Sequence, residues 1–130
     1  LRLVAVGFLG ARVDHQLAAF NALVRLQDRP CVMLGPHEAI FHVPARLSLD
    51  LSDGDVVSLF PMSPVRGRSQ GLEWPIDDLH LSPNGRVGTS NRARGPIQLE
   101  MDGPGLLALV PRSAFGAVIR TLMPARAGAA

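Results

Sequence analysis

The spacing of apolar positions changes character about a third of the way along the chain. From Leu1 to Leu9, "LRLVAVGFL" is a continuous apolar run that halts at Gly10, the pattern of a strand buried on both faces. Between Asp14 and about Gln27 the period becomes helical. Val13, Leu17, Phe20 and Val24 fall on one stripe, which predicts an amphipathic helix laid on a sheet. A second short apolar stretch, "PCVMLGP" (30–36), closes with Gly35 and Pro36 and predicts another strand. Strand, helix and strand with short links make a βαβ unit, in which the two strands run parallel.

From Glu38 onward the period is two. "ARLSLDL" sets Leu47, Leu49 and Leu51 against Ser48 and Asp50, and "PIQLEMDG" sets Ile97, Leu99 and Met101 against Gln98, Glu100 and Asp102. Half-buried antiparallel strands explain both. "DVVSLFPM" and "GLLALVP" are denser and predict more deeply buried strands. Turn residues recur at short intervals in "SDGD", "SPNG", "RGP" and "DGPG", which points to a small β-sandwich or barrel. After Pro111, "SAFGAVIRTLM" predicts a closing helix with Ser113 as its N-cap, followed by a frayed tail, "PARAGAA".

A parallel sheet is stable when several strands pair and helices cover both faces. One helix and two strands leave a bare face and open edges. Residues 1–36 therefore read as the C-terminal remnant of a larger α/β domain, the alternative being cover by a second subunit or by another part of the chain. The expected fold class is α+β, with three parts: the remnant βαβ of a parallel α/β domain (1–36), an antiparallel β-sandwich of jelly-roll-like kind (37–111), and a closing helix with its tail (112–130). The chain opens on Leu rather than Met, in keeping with a start inside a longer reading frame.

Composition narrows the function classes. No apolar run approaches the ~20 residues of a membrane-spanning helix, and the opening segment lacks a small-residue cleavage site. The single cysteine, Cys31, permits no internal disulfide and no thiolate cluster, so a cytoplasmic setting is expected. The pI of 9.9 reflects 13 basic residues that are all Arg, while the net charge is only +2. Scattered arginines, five Phe, one Trp and no Tyr leave few stacking platforms for nucleic acid, and no nucleic-acid partner is expected.

Candidate chemistry begins at Asp14, where the first strand meets the helix. Ligands of open α/β sheets gather at the carboxyl ends of strands. A carboxylate there can hold Mg²⁺ or a water beside a phosphate, with Arg12 facing the phosphate oxygens. The simpler reading is that Asp14 caps the helix, with His15 a bystander. Asp77 and Asp78 are adjacent and read as a solvated turn, since neighbours on an extended segment point apart. His37, His42 and His80 have no ligand spacing, and Cys31 reads as inert core. "VGTSN" (87–91) offers Thr89, Ser90 and Asn91, either as a polar turn or as a set of hydrogen-bonding groups. Trp74, in "GLEWPIDD", sits between Glu73 and Pro75 rather than in an apolar run.

Five of these segments, in order, resemble the C-terminal part of the thiamine pyrophosphokinase family: "GARVDH" (10–15), "SLFPMSPVRG" (58–67), "GLEWPIDD" (71–78), "VGTSN" (87–91) and "GLLALV" (105–110). The resemblance covers nearly the whole chain up to Pro111. It implies an enzyme that moves a pyrophosphoryl group from ATP to thiamine, giving thiamine diphosphate and AMP. It also implies a homodimer, with each site between the α/β domain of one subunit and the β-domain of the other. By the same match Asp14 is one of the acidic residues around Mg²⁺, and Arg12 neighbours the transferring phosphates. Trp74, Ser90 and Asn91 belong to the thiamine side. The departures are Ala11 in place of a second Gly, "NRAR" after Ser90, and the lack of a counterpart to the family's other acidic motifs. One carboxylate cannot hold a metal against the phosphate charges of ATP, so the isolated chain is expected to be inactive. The competing reading is a non-catalytic β-sandwich that dimerises or binds a small ligand.

Overall fold

In the computed structural model, the structure describes residues 3–6 and 12–123. Gly10 and Ala11, the predicted strand end and the glycine departure, lie outside the described residues, as does the tail from 124 to 130. The elements are β1 (Leu3–Val6), α1 (Val13–Arg25), β2 (Cys31–Leu34), β3 (Glu38–His42), β4 (Arg46–Leu49), β5 (Val56–Pro61), β6 (Gly67–Leu72), β7 (Gly88–Met101), β8 (Leu106–Pro111) and α2 (Phe115–Leu122), the last entered through a 3₁₀ turn at Arg112–Ala114. No helix among the described residues is long and apolar enough to cross a membrane.

The strands hydrogen-bond in the order β1-β2-β3-β8-β5-β7-β4, with β6 on the other side of β7. β1 and β2 are parallel, in register from Leu3↔Cys31 to Val6↔Leu34, and α1 makes the crossover between them. β2 pairs antiparallel with β3, so the sheet continues from the βαβ unit into the antiparallel strands without a break. The expected two-layer sandwich is realised as one sheet that curls through β7. The first half of that 14-residue strand pairs with β5, and its second half lies between β4 and β6. "VGTSN" and "RGP" are therefore not turns between strands but stretches of β7. The bend falls at Gly95, whose φ of +92° is a conformation that costs glycine little and other residues more.

The main core fills the inside of the curl. Phe41, Leu49, Leu59, Ile97, Leu99 and Leu106 are all fully buried there, and α2 closes it with Ala117 and Val118. Each such side chain contributes about 1.5–3 kcal/mol of transfer free energy. A second cluster, Ala19, Leu23, Met33, Ile40 and Leu107, lies between α1 and the opposite face of the sheet. The predicted alternations hold: Leu47, Leu49 and Leu51 are buried, as are Ile97, Leu99 and Met101.

Four readings of the sequence are corrected. The α1 stripe holds only in its second half: Phe20 and Val24 pack against the cluster of Ala19 and Leu23, whereas Val13 and Leu17 are 70% and 58% exposed. β1 is not buried on both faces, because Val4 and Val6 remain exposed. They are in register with Val32 and Leu34 of β2, and α2 packs on β2 without covering them. Ser113 does not cap α2; it lies inside the 3₁₀ turn, and the N-cap position is Ala114. Nor does Asp14 cap α1, since the extended N-cap residue is Arg12 (φ −124°, ψ 138°).

Candidate functional site

The curl brings one end of β7 beside the loop that follows β6. Between Val57↔Asn91 and Leu59↔Gly88, β5 advances two residues while β7 advances three. The extra residue forms a bulge at Thr89–Ser90, and Ser90 takes a φ of +64°. A bulge bends its strand and re-aims the side chains beyond it. Here Ser90 stays exposed, its N–H donating to Ser58 Oγ at 3.0 Å. Asn91 turns inward and is only 5% exposed.

The buried carboxamide is engaged by backbone at three of its four hydrogen-bonding positions. Asn91 Oδ1 accepts from the N–H of Trp74 at 3.1 Å and from the N–H of Arg92 at 2.8 Å. Its Nδ2 donates to the carbonyl of Trp74 at 2.7 Å. The chain before and after Trp74 is held as well. The Glu73 N–H donates to the Arg92 carbonyl at 2.8 Å, and Ile76 is buried in the core. The Ile76 N–H donates to Ser69 Oγ at 3.0 Å, and Asp77 Oδ1 accepts the N–H of Ser69 at 3.1 Å. Pro75 fixes one dihedral between these anchors. The backbone around Trp74 is thus tied on both sides, while the side chain itself is 56% exposed.

Charge around the indole is mixed. Glu73 and Arg94 form an ion pair beside it, and the Arg92 guanidinium donates to the Gly54 carbonyl at 3.3 Å. Across β7, Val56 is paired with Arg92 and is 40% exposed. The surface therefore offers an aromatic face, an exposed valine, a hydroxyl at Ser90 and a carboxylate at Glu73.

Arg12 and Asp14 form a separate pair at the start of α1. Arg12 donates to Asp14 Oδ2 at 2.7 Å, with both side chains well exposed, and Asp14 Oδ1 also accepts the His15 N–H at 2.9 Å. The structure joins Trp74 and Asn91 by hydrogen bonds, and Ser90, the neighbour of Asn91 in β7, is hydrogen-bonded to Ser58. Among the described residues, no hydrogen bond or ion pair links these residues to Arg12 or Asp14, and no three His, Cys, Asp or Glu side chains converge as a metal site.

A family profile described as "Thiamin pyrophosphokinase, vitamin B1 binding domain" matches residues 40–105, half of the chain. The chain belongs to the thiamine pyrophosphokinase family. It is 32% identical over 98 residues to "Thiamine pyrophosphokinase 1" of Oryza sativa subsp. japonica, covering 70% of this chain and 37% of that protein. With the protein of the same name from Arabidopsis thaliana it shares 26% over 103 residues, again 70% and 37% of the two lengths. Two solved structures share the fold. The thiamin pyrophosphokinase from Candida albicans superposes with a TM-score of 0.76 at 16% identity, over 85% of this chain and 44% of that one. The thiamin pyrophosphokinase from Geobacillus thermodenitrificans gives 0.71 at 20%, over 85% and 54%. The chain thus spans little more than a third of its curated relatives.

Within this family assignment, the cluster of Trp74, Ser90 and Asn91 falls inside the matched segment, and Arg12 and Asp14 fall outside it. Sequence reasoning missed Ser58 and Glu73 as parts of the cluster. Ser58 carried a signal, being the one hydroxyl inside the apolar run "VVSLF". Glu73 carried none, because its pairing with Arg94 depends on the path of β7.

Proposed function

We propose that this chain is the thiamine-binding part of an enzyme that transfers a pyrophosphoryl group from ATP to thiamine, giving thiamine diphosphate and AMP. The observation that carries this reading is Trp74, exposed on a tied backbone inside the segment matched to a vitamin B1 binding domain. Thiamine has flat rings, one of them a cationic thiazolium. An aromatic face attracts such a cation by about 0.5–2 kcal/mol, and the Glu73 carboxylate beside it is already paired with Arg94. The exposed Ser90 hydroxyl and the carboxamide of Asn91 are the polar groups that the resemblance assigns to thiamine.

In this reading Arg12 and Asp14 lie on the phosphate side, where the exposed start of α1 presents backbone N–H groups toward an anion. The residues described here do not make a Mg²⁺ site by themselves. Asp14 is a single exposed carboxylate, already paired with Arg12. ATP and Mg²⁺ binding then depend on further carboxylates, in keeping with a βαβ unit that belongs to a larger α/β domain. The exposed Val4, Val6, Val13 and Leu17 and the share of the relatives' length support that arrangement. A cytoplasmic homodimer that places Trp74 of one subunit against the α/β domain of its partner completes the proposal.

Titration with thiamine, followed by the fluorescence of the only tryptophan, tests the reading. Saturable quenching in the wild type, with binding measured by calorimetry weakened in Trp74→Ala, is the expected result. A flat titration, with the chain shown to be folded by circular dichroism, refutes thiamine binding and leaves a non-catalytic module.

A further inference from the structure

We propose that Asn91 is a positioning residue that acts through Trp74 rather than a group that reads the ligand. The inference rests on the thiamine reading only for what Trp74 receives; the mount itself is independent of it. A primary carboxamide has two acceptor sites on oxygen and two donor protons on nitrogen. In Asn91 both acceptor sites are taken, by the N–H groups of Trp74 and Arg92, and one proton goes to the Trp74 carbonyl. With the residue 5% exposed, little of the amide remains for a ligand.

The pattern is that of a strand pairing in miniature. One side chain satisfies both backbone polar groups of one residue, as the neighbouring strand would do in a ladder. Trp74 belongs to no strand, and Pro75 after it has no N–H to tie the loop further. The backbone of Trp74, and with it the direction in which the indole leaves the chain, is therefore set from β7, and the inward turn of Asn91 is set in turn by the bulge at Ser90. An aromatic plate held in place before the ligand arrives loses less freedom on binding, which is the energetic role assigned to Asn91 here.

The experiment uses the chain without thiamine first, then with it. Hydrogen exchange at the Trp74 amide and the fluorescence anisotropy of its indole report on the mount alone. In the wild type the amide is protected and the indole immobile. Asn91→Ala is expected to speed exchange by at least about tenfold and to weaken thiamine binding by about the same factor. Asn91→Asp supplies the discriminating readout. At about pH 8 its carboxylate still accepts from the Trp74 and Arg92 N–H groups but cannot donate to the Trp74 carbonyl and repels it, so the mount is loosened less than in the alanine variant. Toward about pH 5 a buried carboxyl takes up a proton and regains that donor, so protection and anisotropy recover on acidification. Should Asn91→Ala not fold, this pH-dependent recovery and the wild-type amide decide. If both variants keep the wild-type exchange and anisotropy without thiamine yet bind it weakly, Asn91 touches the ligand and the proposal is overturned. An unprotected Trp74 amide in a wild type that binds thiamine overturns it equally. A protected amide in a wild type that does not bind thiamine supports the mount and refutes the thiamine reading.

Discussion

Ser90 sits at a conformational cost in the β7 bulge, held there by the hydrogen bond of its N–H to Ser58 Oγ. Its φ of +64° lies where non-glycine residues are disfavoured by roughly 1 kcal/mol or more, in a family of positions usually filled by Gly or Asn. Ser90→Gly relieves that cost. The variant is expected to be more stable by about 0.5–1 kcal/mol in urea denaturation while binding thiamine more weakly, because the hydroxyl is lost. If it is stabilised and binds as tightly as the wild type, Ser90 has no part in recognition. Trp74 makes the opposite case. With more than half of its surface exposed, Trp74→Ala is expected to change stability by less than about 1 kcal/mol and to weaken thiamine binding by tenfold or more. A large drop in melting temperature would return the indole to a packing role. That Trp74 is displayed could be read from its charged and proline neighbours, since both disfavour burial locally. The role of Asn91 could not, because it depends on a partner 17 residues away.

At the scale of elements, β7 is where sequence and structure part. Its second half was legible, because alternation on a half-buried strand is a local signal. Its continuity was not: Gly95 and Pro96 are the residues of a turn, and a bend inside a strand uses the same chemistry. The bend has a partner in Gly71 of β6, whose φ is +86° and whose Cβ, if present, would run into the Pro96 carbonyl. Gly71→Ala is thus expected to cost about 2–4 kcal/mol, read as a lowered urea midpoint with the slope unchanged. The β7–β8 connection is held differently. The N–H of Gly105 donates to His42 Nε2 at 2.8 Å, which requires the neutral ring, and burial pushes the His42 pKa below its ordinary 6.5. The neutral form is favoured by folding, so the unfolded chain binds more protons in this window. The stability that His42 contributes is therefore present above about pH 6.5 and is lost as the pH falls toward the lower folded value. His42→Gln keeps an acceptor for Gly105 without titrating. Urea midpoints between pH 5 and 7.5 are expected to fall with acid less steeply in the variant than in the wild type. Parallel curves would show that His42 does not carry this dependence.

The whole molecule divides into a part that covers itself and a part that does not. Within the curl the large apolar side chains left exposed are Val56 and Trp74, at the candidate site, whereas Val4, Val6, Val13 and Leu17 of the βαβ unit are exposed away from it. The parallel period and the short links made the unit legible from sequence. That the α1 stripe is covered only in its second half was not, since the period is the same along its whole length. The division matters for chemistry. Pyrophosphoryl transfer from ATP requires the phosphate charges to be neutralised and the reacting oxygens to be held in line. The α1 start offers for this one carboxylate, joined to one guanidinium; the guanidinium groups near Trp74 are engaged by Glu73 and the Gly54 carbonyl, and among the described residues no carboxylates converge to hold a metal. Recognition of thiamine and transfer to it are therefore expected to separate in this 130-residue chain. Supplied with thiamine, ATP and Mg²⁺, it is expected to quench at Trp74 as thiamine saturates, while AMP and thiamine diphosphate stay at the level of a protein-free control. Formation of the two products in equal amounts, abolished by Asp14→Asn, would show that Asp14 and its surroundings suffice for transfer and that the βαβ unit is a working phosphate site rather than part of one.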